Sequence, residues 1–311
     1  MRTRTLTLAA LTAAGTLGLA ACAADAGTGT DPSTDPASLT VAAAFYPLEF
    51  VASQVGGDLV SLISLTPKGV EAHDVELSPA TVRQLGNADL ALYLAGFQPA
   101  VDDAISTTGV AALDAAGVVA LRPADANADG EATSDAAAGS TTLDPHFWLD
   151  PELLAEYGDA VGQAFAQADP ANADTYTANA ATLHAALDDL NSQFATGLSQ
   201  CQRDTIVTSH EAFGYLAAAY SLDQQSIAGI DPETEPSPAR ILEIQQIIAD
   251  TGATTIFTES QVSTTVADAI AGDTGVTTAV LDPVENVVDG DDYISVMTRN
   301  LTALQAALGC A

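Results

Sequence analysis

The sequence predicts an α/β protein made of two lobes, each with a mostly parallel sheet flanked by helices, joined by one long backbone helix. Three observations predict it. In both halves of the chain, short apolar runs alternate with amphipathic helical stretches at the spacing of βαβ units. Between them Tyr176, Ala180, Leu183, Leu187, Leu190 and Phe194 recur at alternating steps of four and three. That is one apolar stripe along a helix of roughly 28 residues, on the order of 40 Å long and suited to a strut. The third is size: 311 residues, 48% of them hydrophobic, can fill about two domain cores.

Taken in order, Val41 to Phe45 reads as a strand, and Phe50, Val51 and Val55 as the buried face of the helix after it. Leu59 to Leu65 is a second strand, ending in the loop signal Thr66-Pro67-Lys68-Gly69 and then Glu71-Ala72-His73-Asp74. Ser78 can cap a helix that has Pro79 at its first position. Leu90 to Leu94 and Val118 to Leu121 are the third and fourth strands. From Pro123 to Thr142 the chain is Ala, Asp, Gly, Ser and Thr without apolar period, an acidic surface loop. Asp144-Pro145-His146-Phe147-Trp148-Leu149 follows, and Asp150 and Pro151 open a helix through Leu153, Leu154 and Tyr157. Asp169-Pro170 starts the strut. In the second half Thr205 to Thr208, Thr254 to Phe257 and Thr278 to Leu281 are strands, ending at Ser209-His210, near Glu259 and at Asp282-Pro283. Ile227 to Ile230 leads into Asp231-Pro232-Glu233-Thr234-Glu235-Pro236, after which Ser237 caps a helix carrying Ile241, Ile244 and Ile248. The last helix carries Tyr293, Met297, Leu301 and Leu304. The implied organisation is a leader over 1–22, a tether over 23–38, lobes over 39–168 and 200–311, and the linking helix over 169–199.

The leader has Arg2 and Arg4 before an apolar run from Leu6 to Ala21, too short for a membrane span. Leu19-Ala20-Ala21-Cys22 resembles the bacterial lipobox, which makes Cys22 a lipidation site; an ordinary signal peptide is the other reading. Residues 23–37 have the composition of a flexible tether. With Cys22 set aside, Cys201 and Cys310 are an even remainder in an exported chain. They suggest a disulfide, with two buried thiols as the alternative. The net charge of −33, with eight basic residues, excludes a nucleic-acid surface. It suits solubility, and equally a cation ligand.

His73, His146, His210 and Asp282 each follow a short apolar run or its loop, two in each lobe. Open α/β sheets place ligands outside the carboxyl ends of their strands, so these side chains can meet if both sheets face one cleft. Three neutral imidazoles and a carboxylate suit tetrahedral Zn²⁺ and disfavour Mg²⁺ and Ca²⁺. The fourth histidine, His184, lies beside the strut's stripe and reads as a partly exposed surface residue.

These stretches carry a resemblance. Glu71-Ala72-His73-Asp74, Asp144 to Pro151, Thr208-Ser209-His210-Glu211-Ala212-Phe213, Gly229 to Ser237, Phe257 to Gln261 and Leu281-Asp282-Pro283 are similar to the substrate-binding lipoproteins of zinc and manganese ABC importers. That family is the metal-specific class of solute-binding proteins with a rigid helical linker. The resemblance implies metal between two lobes, with His73, His146 and His210 as ligands and a carboxylate, Asp282, or water as the fourth. Zinc importers of this class carry histidine at the third position and manganese importers usually glutamate, so His210 implies zinc. The acidic loop lacks the histidines that many zinc members carry there.

The implied function is extracytoplasmic capture of Zn²⁺ as the transported ligand, and its delivery to an ABC permease by a monomer held on the outer face of the bacterial cell membrane through lipid at Cys22. A manganese or iron carrier is the main alternative, and a surface adhesin a lesser one. An enzyme is disfavoured. His210-Glu211 begins like the H-E-x-x-H of zinc proteases, but Gly214 stands where the second histidine must be. No G-x-S-x-G elbow or P-loop is present.

Overall fold

The computed structural model describes residues 39–124, 143–260, 262–287 and 290–311. The leader, Cys22, the tether and nearly all of the acidic loop lie outside the described residues. Among those described, two four-stranded parallel sheets are present. The first holds β1 (Leu39–Ala43), β2 (Val60–Ser64), β3 (Leu90–Tyr93) and β4 (Ala112–Asp114) in the order β2-β1-β3-β4. The second holds β5 (Thr205–Thr208), β6 (Asp223–Ser226), β7 (Thr255–Thr258) and β8 (Thr277–Val280) in the order β6-β5-β7-β8. Each half thus repeats one topology. Val41 registers with Leu62 on one side and Leu90 on the other; Val207 registers with Gln225 and Ile256.

The central strands are apolar on both faces because helices cover both faces. Val41, Ala42 and Ala43 are fully buried, as are all four residues of β5. The helices are α1 (Tyr46–Gly56), α2 (Pro79–Leu85), α3 (Pro99–Thr108), α4 (Pro151–Ala168), α5 (Ala173–Gly197), α6 (Gly214–Ala219), α7 (Pro238–Thr251), α8 (Thr265–Thr274) and α9 (Tyr293–Leu308). Ser78, Asp150 and Ser237 cap α2, α4 and α7 as expected, each accepting from a backbone N–H of the first turn. Proline stands at the start of all three helices, where its missing N–H is not needed.

The strut is α5, 25 residues long. All six residues of its stripe are buried. It packs on α1 and α4 from the first half and on α9 from the second. Its approach to α4 is close: a Cβ at Gly162 would lie 2.7 Å from the Ala180 Cβ. One hydrophobic core runs from β1 through Trp148 and α5 to Tyr293 and Leu304, and a smaller one lies under Ile244, Ile248 and Ile270. Trp148 Nε1 donates to the Pro283 carbonyl (2.7 Å), the Tyr293 hydroxyl donates to the Trp148 carbonyl (2.6 Å), and Tyr293 stacks on Phe50. Both halves therefore share buried side chains.

Two strands differ from expectation. The fourth is Ala112–Asp114, not Val118 to Leu121. The Asp114 carboxylate accepts from Ala95 N and Ala116 N and turns the chain out of the sheet. Beyond it Val119 is buried without a strand partner. The other is β6, Asp-Gln-Gln-Ser, just before Ile227. It is an edge strand, so its polar side chains lack the apolar pattern that marks a central one. A disulfide joins Cys201 and Cys310, tying the chain just past α5 to the end of α9. It closes a loop of 109 residues. Replacing both cysteines by serine should lower stability by up to about 4–5 kcal/mol on the chain-entropy account, read from urea midpoints. An unchanged midpoint would show that the bridge constrains nothing.

Candidate metal centre

His210 lies two residues past β5, at the point where the strand order of the second sheet reverses, and Glu259 follows β7 on the other side of that point. Glu259 Oε1 lies 2.5 Å from His210 Nδ1 and also accepts from the Ser209 hydroxyl. Thr208 Oγ1 and Gln224 Nε2 donate to the His210 carbonyl. His146 does not leave a strand. It precedes a single 3-10 turn, Phe147–Leu149, and the Asp144 carboxylate accepts from its backbone N–H (3.0 Å) and meets its Nδ1 (2.8 Å). His73 sits in the loop after β2. Buried Gln98 holds that loop by donating to Thr66 Oγ1 and the Ala72 carbonyl, and the Glu71 carboxylate accepts from His73 N.

In His146 and His210 a carboxylate occupies Nδ1, which leaves Nε2 to face inward. His73, His146, His210 and Glu285 each offer one ligand atom, and the four atoms lie within 4.8 Å of one another. Glu285 Oε1 is 3.3 Å from His146 Nε2 and 3.6 Å from His73 Nε2. A tetrahedral zinc at 2.0–2.1 Å from each donor needs them roughly 3.3 Å apart, so small side-chain shifts complete the shell. His146, His210 and Glu285 are buried and His73 nearly so. Among the described residues, the three Nε2 atoms and Glu285 Oε1 have no hydrogen-bond partner outside the cluster itself. Phe97 and Trp148 pack edgewise or tilted against the imidazoles, lining the cluster with apolar surface.

The electrostatics follow from that packing. Burial alone pulls the His146 pKa down, but its hydrogen bonds to Asp144 and Glu285 and their charges push it up to about 10. Burial alone raises Glu285, yet the His146 and His73 hydrogen bonds and charges hold it well below the usual carboxylate range. Burial, then the Glu285 charge and a hydrogen bond shared with it, raise Glu71 to about 8.

Of the residues chosen from sequence, His73, His146 and His210 come together and Asp282 does not join them. The Asp282 carboxylate accepts from Val284 N, and its backbone is bracketed by the Asn300 amide. Val284 then takes a left-handed φ of 61°, and this turn delivers Glu285 to the cluster. A non-glycine left-handed residue leaves no sequence signal, so the sequence points to the corner residue Asp282 and not to the one three positions on. Asp144 and Glu259 lie within the motifs, but nothing in the sequence marks them as the partners of His146 and His210 Nδ1. His184 stands apart, 40% exposed, with Nδ1 2.9 Å from Asp159.

The family described as "Zinc-uptake complex component A periplasmic" (ZnuA) matches residues 41–307. The zinc-binding lipoprotein AdcA of Streptococcus pneumoniae R6 is 31% identical over 276 residues, covering 86% of this chain and 55% of that protein. The high-affinity zinc uptake system protein ZnuA of Bacillus subtilis is 29% identical over 279 residues, covering 87% and 88%. Among solved structures, Zn(II)-bound AdcA from Streptococcus pneumoniae superposes with TM-score 0.73 at 30% identity, covering 87% of this chain and 58% of that one. The laminin binding protein (Lmb) of Streptococcus agalactiae, described as a bifunctional protein with adhesin and metal transporting activity, gives 0.78 at 29%, covering 87% and all of that chain. The chain spans about half the length of the AdcA relatives it matches. With this match over nearly all of its described length, the chain belongs to the ZnuA family of zinc-uptake solute-binding proteins.

Proposed function

We propose that this protein captures Zn²⁺ outside the cytoplasmic membrane with His73, His146, His210 and Glu285 and hands it to the permease of an ABC importer. The observation that carries this reading is the convergence of four buried donor atoms without other partners. Three imidazole nitrogens and one carboxylate oxygen match zinc's preferred donors and its coordination number. Four protein ligands close the shell, which suits a carried ion better than a catalytic one needing an open position. In this reading lipid at Cys22 anchors a monomer through the 23–38 tether, and the lobes of 39–168 and 200–311 are joined across 169–199. The names of the AdcA and ZnuA relatives support the metal and the importer.

Elemental analysis of protein purified without chelator is the direct test. It should find one zinc per chain, and manganese or iron in its place would favour the alternative carrier. Free zinc at 1,000 times its Kd should add about 4 kcal/mol of stability. A melt raised by manganese and unmoved by zinc would contradict the assignment.

Ligand roles can be separated by substitution. His146→Ala and Glu285→Gln should each lower zinc affinity by more than the ~10–100-fold typical of losing an outer partner. His184→Ala should leave it within about twofold because that side chain does not reach the cluster, and so should Asp282→Asn, because the asparagine Oδ1 still accepts from Val284 N. A larger loss from Asp282→Asn than from Glu285→Gln would reverse the two carboxylates' roles.

The raised His146 pKa sets a sign for pH. A group whose folded pKa of about 10 exceeds its unfolded value of about 6.5 stabilises the metal-free fold below pH 6.5. That contribution fades as pH rises toward 10. Zinc must displace the same proton. The zinc-induced rise in Tm should therefore be larger at pH 8 than at pH 6; calorimetric melts at both would check it.

A further inference from the structure

His146 and His210 are held by carboxylates of different provenance. Glu259, which holds His210, follows β7, the strand paired with the β5 that leads to His210. Asp144, which holds His146, is itself held from the opposite half of the molecule. The Tyr215 hydroxyl on α6 donates to the Asp144 carbonyl (2.9 Å) and accepts from Arg122 N (2.7 Å), while Asp144 N donates to the Arg122 carbonyl (2.8 Å). The Arg122 guanidinium lies over the Tyr215 ring and donates to the Gly214 carbonyl. Gly214 completes the seat, because a Cβ there would stand 2.8 Å from Asp144 Oδ2. Tyr215, Asp144 and His146 are all buried. Burial raises the Tyr215 phenol to about 12, so its hydroxyl keeps the proton it donates.

We propose that Tyr215 and Gly214 are positioning residues of the zinc site: α6 seats the Asp144 backbone and carboxylate, and through them aims His146 Nε2. This rests on the zinc-binding reading above and adds to it a dependence. The first half's buried ligand reaches its working orientation only when the second half is docked against it, whereas His210 is aimed within its own half.

The test compares wild type, Tyr215→Phe, Gly214→Ala, Asp144→Ala and the Tyr215→Phe/Asp144→Ala double variant. Zinc affinity is read by chelator competition, apo stability by melting, and the ligand field by the visible absorption of the Co²⁺-loaded chains. Tyr215→Phe should weaken zinc about tenfold, the low end for an outer-shell partner, and alter the Co²⁺ bands with little change in apo melting. In the Asp144→Ala background the same substitution should add less than about twofold, since its route to the metal is already cut. Gly214→Ala, which removes no hydrogen bond, should also weaken zinc, and it decides the matter if Asp144→Ala does not fold. Wild-type zinc affinity and Co²⁺ bands in both Tyr215→Phe and Gly214→Ala would overturn the positioning role, as would full additivity with Asp144→Ala. A wild-type chain that binds no zinc would instead remove the functional reading itself, so the two failures are distinct.

Discussion

The structure depends on one electrostatic constraint: the carboxylate of Glu285 buried among imidazoles. Buried polar atoms without partners cost free energy, about 1–3 kcal/mol each by mutational measures. Here three ring nitrogens and one carboxylate oxygen have only one another as partners, inside a wall that includes Phe97 and Trp148. Part of the cost is offset in the metal-free state by a proton on His146, whose pKa rises to about 10 beside Asp144 and Glu285. A divalent cation relieves all of it at once. The surrounding bonds keep the cluster from relaxing into any other arrangement. Gln98 clamps the His73 loop, Asp144 and Glu259 each fix an Nδ1, and the Asp282–Asn300 bracket fixes the turn that delivers Glu285.

Much of this was legible in the sequence, and the parts that were not share a physical cause. Central strands such as Val41 to Ala43 and Thr205 to Thr208 are buried on both faces, so they appear as apolar runs. The six-residue stripe of α5 appears for the same reason. Asp223–Ser226 pairs on one side only and carries polar side chains, so nothing in its composition betrays a strand. Among site residues, the three histidines stood out because the chain has only four. Glu285 did not, being one of 41 acidic residues and placed by a backbone conformation at Val284 that its side chain does not advertise. Identity, in short, is readable where a residue type is scarce, and position where burial imposes a period.

The frame also limits how the site can open. α5 buries its stripe against helices of both halves, and the main core continues from Phe45 through Trp148 to Tyr293. Parting the two sheets would break the Trp148–Pro283 and Tyr293–Trp148 hydrogen bonds and expose rings whose burial is worth about 1.5–3 kcal/mol each. The loop bearing His73 meets the second half through Asn286, whose side chain accepts from Gly69 N and donates to the Val70 carbonyl, both at exposed residues.

Selectivity follows from the same placement of atoms. Mg²⁺ and Ca²⁺ seek six to eight oxygens, and this cluster supplies one oxygen and three nitrogens. Manganese is served better by carboxylates than by imidazoles, and three carboxylates beside the cluster are already committed. Glu259 holds His210, Asp144 holds His146, and Asp282 turns its own loop. To become a ligand, any of them would have to abandon an imidazole or a turn that the remaining ligands need. A hard, oxygen-seeking ion would meet three imidazoles and one carboxylate, whereas the donors that zinc prefers lie within small side-chain shifts of a tetrahedral shell.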